Sequence, residues 1–211
     1  VAVEANDYII EAVANNTGRL TGFCSVNPVW GEAADTEVRR CIAAGLVGIG
    51  ELHADTQYFD ITSVAAMAPA MELARSDRLP VLVHSSEPVG HQYPGKGGTT
   101  PDKLYRFIQN FPGNVIICAH WGGGLPFYSL MPEVKESLKN VYFDSAASPF
   151  LYRTEVFGAV SELAGAGKVL FASDYPLLEM SRPLEQARSA GLDPDVEAAL
   201  LSGNAAKLFG L

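Results

Sequence analysis

Two of the four histidines in this sequence close short apolar runs, Val81-Leu82-Val83-His84 and Ile116-Ile117-Cys118-Ala119-His120. Asp174 closes a third, Val169-Leu170-Phe171-Ala172-Ser173-Asp174. Glu51 stands near the end of a fourth, Gly48-Ile49-Gly50-Glu51, with His53 two residues on. Imidazole nitrogens and carboxylate oxygens are ligands for Zn²⁺ and similar divalent ions. Residues i and i+2 share one face of a strand, so Glu51 and His53 are expected to point the same way. Taken singly, each group has a plain structural use. A strand-end histidine is commonly a hydrogen-bonded structural residue, an aspartate there can cap the next turn, and Glu51 could be a buried ion-pair partner. Their coincidence at four run ends favours a metal site.

Such convergence requires strands that run in parallel. The short apolar runs, 22–26, 46–52, 81–84, 115–120, 141–144 and 169–174, are rich in Val, Ile and Phe. Near-continuous apolar runs suit parallel strands covered on both faces. Amphipathic stretches lie between them: 33–44, 63–76, 101–111, 132–138, 153–164 and 183–190, with a helical tail over 195–201 and 205–209. Pro101 suits a first helical turn, and Asn6 is expected to cap a first helix over 7–14. The strands recur at roughly 30 residues, the size of a βα unit. Six units in series mean an α/β fold with a parallel sheet, whose active site lies at the carboxyl ends of the strands. An eight-unit barrel needs about 250 residues, and six strands are visible here. One domain spans 1–211, with no linker or low-complexity tract.

Other motifs are weaker. Gly90-His91-Gln92-Tyr93-Pro94-Gly95-Lys96 matches seven positions of a phosphate-binding loop, but the eighth is Gly97 rather than Ser or Thr. This stretch reads better as a mobile substrate loop presenting His91, Tyr93 and Lys96. Gly122-Gly123-Gly124 permits a tight turn after Trp121, which is a candidate pocket wall. Arg153 has the fork of donors that suits a substrate carboxylate.

Composition excludes other classes. Lys and Arg total 15 and Asp and Glu total 24, a net charge of −9, which disfavours nucleic acid and anionic membrane surfaces as partners. No apolar run approaches the roughly 18 residues of a spanning helix. Three cysteines without paired spacing make no disulfide framework, and a reducing, cytoplasmic setting is expected.

Seven stretches in order resemble the amidohydrolase superfamily, in the amidohydrolase-2 branch that includes aminocarboxymuconate-semialdehyde decarboxylase. They are 22–28, 48–53, 81–84, 117–123, 141–144, 170–176 and the tail 203–211. The resemblance implies a metal-dependent (β/α)₈ barrel and numbers the visible strands three to eight. It makes His84 the strand-five metal histidine and Asp174 the strand-eight aspartate, metal ligand and general base. His120 becomes the strand-six histidine, which binds a second metal or activates water. Glu51 stands where some members place a bridging ligand. The first-strand His-x-His pair of that family does not occur in this sequence. The chain is therefore expected to be an incomplete barrel lacking strands one and two, with two open sheet edges that invite a homo-oligomer.

The resulting expectation is a metal-dependent hydrolase. A divalent ion, Zn²⁺ before Mn²⁺, activates water against a small carboxylated or cyclic substrate such as a lactone, ester or amide. Trp121, His91, Arg153 and His53 are the expected substrate contacts. The alternatives are decarboxylation of a small aromatic or unsaturated acid at the same metal, and an inactive barrel fragment without its His-x-His strand.

Overall fold

The computed structural model describes residues 2–211. All six apolar runs contain strands: β1 Phe23–Cys24, β2 Gly48–Leu52, β3 Val81–Val83, β4 Ile116–Cys118, β5 Val141–Asp144 and β6 Val169–Leu170. They form one sheet in sequential order, every neighbouring pair parallel. Sequential parallel order with a helical crossover after each strand is the wall of a (β/α) barrel, here six strands of it. Several strands are shorter than their apolar runs. The last residues of those runs leave the ladder and carry polar groups onto the rim.

The helices cover the sheet as their periodicity requires. Pro101–Asn110 starts on its proline and buries Leu104, Phe107 and Ile108. Val64–Ser76 is capped by Ser63, whose hydroxyl accepts from the Ala66 N–H at 3.3 Å. It buries Met67, Ala70, Met71 and Ala74. Cys24, Cys41 and Cys118 are buried and free. Among the described residues no helix is long and apolar enough to cross a membrane.

The first helix, Ala2–Asn15, starts earlier than expected, and Asn6 is not its cap. Asn6 sits inside the helix, fully buried, with its amide turned onto β1. Its oxygen accepts from the Ser25 N–H at 2.8 Å and its nitrogen donates to the Ser25 carbonyl at 2.9 Å. One side chain thus supplies both hydrogen bonds that a neighbouring strand would offer. Asn6 also donates to Glu37 at 2.8 Å, and Arg40 grips the same carboxylate at 2.7 and 2.8 Å. The far edge is served similarly. Asn204 donates to the carbonyls of Ala166 and Val169, and the Phe171 N–H donates to the Leu200 carbonyl. From the same C-terminal helix, Asn204–Phe209, Phe209 reaches Phe23 of β1 edge-on at 5.6 Å. The two edges expected to be open are therefore occupied in part by side chains and by this helix, because buried backbone groups need partners.

The Arg40 hydrogen bonds outweigh burial and, with Asn6, hold the Glu37 carboxyl down at about 2. A depressed carboxylate contributes stability that is full above its unfolded pKa and lost as pH falls through the folded one. We expect wild-type stability to drop between about pH 4.5 and pH 2. Glu37→Gln should cost about 1–3 kcal/mol near neutral pH, as for other hydrogen bonds to buried charge, and should flatten this acid limb. Urea melts at several pH values check both.

Candidate metal centre

The carboxyl ends of β2, β3 and β4 bring Glu51, His84 and His120 together. Their ligand atoms all lie within 4.8 Å of one another. Glu51 Oε1 is 3.0 Å from His84 Nδ1 and 3.7 Å from His120 Nε2. Tetrahedral donors at the usual bond lengths of about 2.0–2.2 Å stand about 3.4 Å apart, so the spacing fits one ion.

Local backbone makes this possible. Gly50 has φ 134°, and a Cβ there would meet the Leu82 carbonyl oxygen at 2.4 Å, so only glycine lets β2 approach β3 so closely. The β2–β3 register shifts between Ile49 and Leu52, at the residues that present Glu51. His120 and Trp121 both adopt left-handed φ, 55° and 58°, and glycines continue the run through Gly124. Left-handed backbone costs a non-glycine residue roughly 1–2 kcal/mol. The buried Asp144 carboxylate at the end of β5 holds the turn, accepting from the His120 N–H at 2.9 Å and the Ala146 N–H at 3.0 Å. Gly123 is obligatory as well, since a Cβ would lie 2.4 Å from the Ser86 carbonyl oxygen.

Each imidazole has its outer nitrogen anchored, as ligating histidines require. His120 Nδ1 lies 3.1 Å from the Ala146 carbonyl, which can only accept, so Nδ1 carries hydrogen and Nε2 faces Glu51. His84 Nε2 lies 3.2 Å from Ser86 Oγ, leaving Nδ1 towards Glu51. The outward anchors and the inward donor set therefore fit a divalent cation. Within the cluster the charges pair. Burial opposes ionisation of Glu51, but hydrogen bonds from His120 and His84 prevail and hold it at about 2. Burial likewise opposes a proton on His120, yet the Glu51 hydrogen bond and the Asp144 charge lift it to about 9. Burial pushes the Asp144 carboxyl up.

The cluster forms part of the lining of a cavity of about 480 Å³. His53 lines it too, its ring stacked on His84 at 4.0 Å, and burial and the neighbouring His84 lower its pKa. His91 lines it from the 87–99 loop, 5.4 Å from the Tyr93 ring. Asp174 lines the cavity but stands outside the three-residue donor cluster. β6 ends at Leu170, and Asp174 follows in a left-handed turn (φ 64°) whose carbonyl accepts from the Leu177 N–H.

Two expected substrate contacts lie elsewhere. Trp121 is fully buried, donates its indole N–H to Ser148 Oγ at 3.0 Å and packs edge-on against Phe157 at 4.9 Å. Its left-handed backbone turns the ring into the helix layer. Arg153 is 88% exposed and faces Glu155 at 3.6 Å. The Gly90–Lys96 loop makes no phosphate cradle, since Lys96 donates to the Val89 and His91 carbonyls. Sequence reasoning passed over Asp144, Ser86 and the cavity residues Phe150, Leu151 and Leu177. Asp144 does close an apolar run as Asp174 does, and Ser86 stands two residues after His84.

Because His120 holds a proton up to about pH 9, an ion must displace it. Titration of the chain with Mn²⁺ near pH 7.5 should release about one proton per ion. Calorimetry in buffers of different ionisation enthalpy measures it. His84→Ala should abolish most of the binding.

The sequence model of the amidohydrolase family matches residues 1–211. The chain is 31% identical to the 6-methylsalicylic acid decarboxylase of Penicillium expansum over 46% of its own length, a match spanning only 38% of that protein. It is 22% identical to the gamma-resorcylate decarboxylase of Polaromonas sp. (strain JS666 / ATCC BAA-500), covering 100% of this chain and 76% of that one. The crystal structure of a dihydroxybenzoic acid decarboxylase from Polaromonas sp. JS666, with bound manganese and the inhibitor 2-nitroresorcinol, superposes with a TM-score of 0.79 at 21% identity. That alignment covers 100% of this chain and 75% of the other. The parallel sheet, the donor cluster at its carboxyl rim and a family match over the whole sequence agree, and the chain belongs to the amidohydrolase family.

Proposed function

We propose that this site performs metal-dependent decarboxylation of a small aromatic acid. The observation that carries the reading is the cavity itself. At about 480 Å³ it lies within the usual range for small-molecule sites. Its lining combines Glu51, His84 and His120 with the apolar surfaces of Pro94, Phe150, Leu151 and Leu177. This mixture suits a single ring with its acidic group at the polar end. The two curated relatives, both decarboxylases of aromatic acids, support the same chemistry.

Glu51, His84 and His120 would hold the ion. When bound, it supplies fixed positive charge for the substrate's carboxylate and neighbouring oxygen. The apolar residues hold the ring and exclude water, which strengthens every charge interaction in the site. His53 and His91 offer ring nitrogens to the polar substituents. In the reaction a proton adds to the ring carbon that bears the carboxylate. The bond to that carboxylate then breaks, its electron pair returns to the ring, and CO₂ leaves. Asp174, in the cavity but outside the donor cluster, is the group assigned to deliver that proton from its carboxyl.

Hydrolysis is the second reading, because the same Asp174 could instead take a proton from water. The substrates separate them. The Mn²⁺-loaded chain should release CO₂ from hydroxylated benzoic acids and leave lactones and esters intact. Asp174→Asn should lower kcat by about 10²–10⁴-fold, the range for a lost general acid, with an unchanged melting temperature. Lactone opening without CO₂ release from any aromatic acid would establish the hydrolytic reading instead.

A further inference from the structure

Ser86 is fully buried and touches neither the cavity nor the Glu51 carboxylate, yet it stands between the cluster and the loop that covers it. Its hydroxyl oxygen lies 3.2 Å from His84 Nε2 and accepts from the Gly97 N–H at 2.9 Å. The Tyr93 phenol is a neighbour of the same hydroxyl. Tyr93 Oη in turn donates to Glu87 Oε2 at 3.2 Å. Tyr93, Pro94 and Gly95 of this loop line the cavity. Polar groups thus follow one another from Glu51 through His84, Ser86 and Tyr93 to Glu87, hydrogen-bonded at every step but the one between Ser86 and Tyr93.

The direction of these bonds depends on which nitrogen of His84 carries hydrogen. With Nδ1 donating to Glu51, a neutral ring has a bare Nε2, and the Ser86 O–H donates to it. If Nδ1 is instead given to a cation, the ring hydrogen must sit on Nε2. That N–H then donates to Ser86 Oγ, and the serine hydrogen is freed. The neighbouring group that can then accept it is Tyr93 Oη, whose own hydrogen already goes to Glu87. A hydroxyl has two lone pairs and one hydrogen, so Ser86 can take the His84 and Gly97 N–H groups and still donate onward. The result is a chain with every bond pointing the same way, and such chains strengthen one another.

We propose that Ser86 is a positioning residue that supports the metal-binding tautomer of His84 and couples metal occupancy to closure of the 87–99 loop over the cavity. The proposal rests on the metal reading of the Glu51–His84–His120 cluster but not on which substrate the site takes. An alanine at 86 would leave the largely buried His84 Nε2–H without its serine acceptor in the loaded state. Tyr93→Phe breaks the chain one link further out. It leaves the tautomer supported and removes only the loop's response.

The test uses Mn²⁺ alone, with calorimetry for affinity and amide hydrogen exchange for the loop. In the wild-type chain Mn²⁺ should bind and slow exchange across 87–99. Ser86→Ala should bind about 10–100-fold more weakly, as when other partners of metal-ligating histidines are lost, and show no slowing even at saturation. Tyr93→Phe should keep affinity within about threefold and also show no slowing. Wild-type affinity, or wild-type slowing at saturation, in Ser86→Ala overturns the proposal. If that variant does not fold, retained slowing in Tyr93→Phe overturns it and lost slowing supports it. A wild-type chain that binds no Mn²⁺ overturns the metal reading and this inference with it. Binding lost in His84→Ala but untouched in Ser86→Ala overturns this inference alone.

Discussion

Parallel pairing of β2, β3 and β4 in sequential order delivers Glu51, His84 and His120 to the same rim. In a parallel sheet all carboxyl ends lie on one side, so residues far apart in sequence finish side by side. Glu51 and His84 are 33 positions apart in the chain and 3.0 Å apart in space. A single antiparallel strand here would send one of them to the opposite rim. The close approach of β2 to β3 at Gly50, and of the glycine turn after β4 to Ser86, tightens the arrangement from strand-end proximity to hydrogen-bonding distance.

Within the cluster the Glu51 and His120 charges offset one another. A carboxylate among two imidazoles carries its own counter-charge when His120 is protonated. Replacing that proton by a cation keeps the pairing and changes only its carrier. Around this cluster the protein uses backbone groups as anchors: the Ala146 carbonyl for His120, and the His120 and Ala146 amides for Asp144. Those bonds hold two residues in left-handed backbone that would otherwise relax.

At the sheet edges, side-chain amides stand in for backbone. Asn6 serves Ser25 near β1, and Asn204 serves the carbonyls of Ala166 and Val169 at β6. Read from the sequence, Asn6 was a helix cap, since asparagine before an amphipathic stretch commonly is one. Its buried role depends on what packs over it, and nothing local to residues 2–15 reveals that β1 lies beneath. Trp121 shows the same limit. Its neighbours His120 and Gly122–Gly124 suggested a pocket wall, but the backbone hand at 121 sends the indole into the helix layer.

The sequence by itself determined the six strands, their parallel class and the polar residues that end them. These follow from apolar runs, helical periodicity and spacing, all properties of contiguous residues. The resemblance of seven ordered stretches also named the family that the whole-chain match bears out. Only the tertiary structure decided which ionisable groups meet. It joined Glu51 to both histidines, set Asp174 one step away on the cavity wall, and put Arg153 in solvent. It also recruited Asp144, whose partner His120 follows another strand, and Ser86, which ties His84 to Gly97 further along the same connection. Which nitrogen of an imidazole faces inward depends on groups brought in by other segments of the chain, and local sequence does not encode those distances.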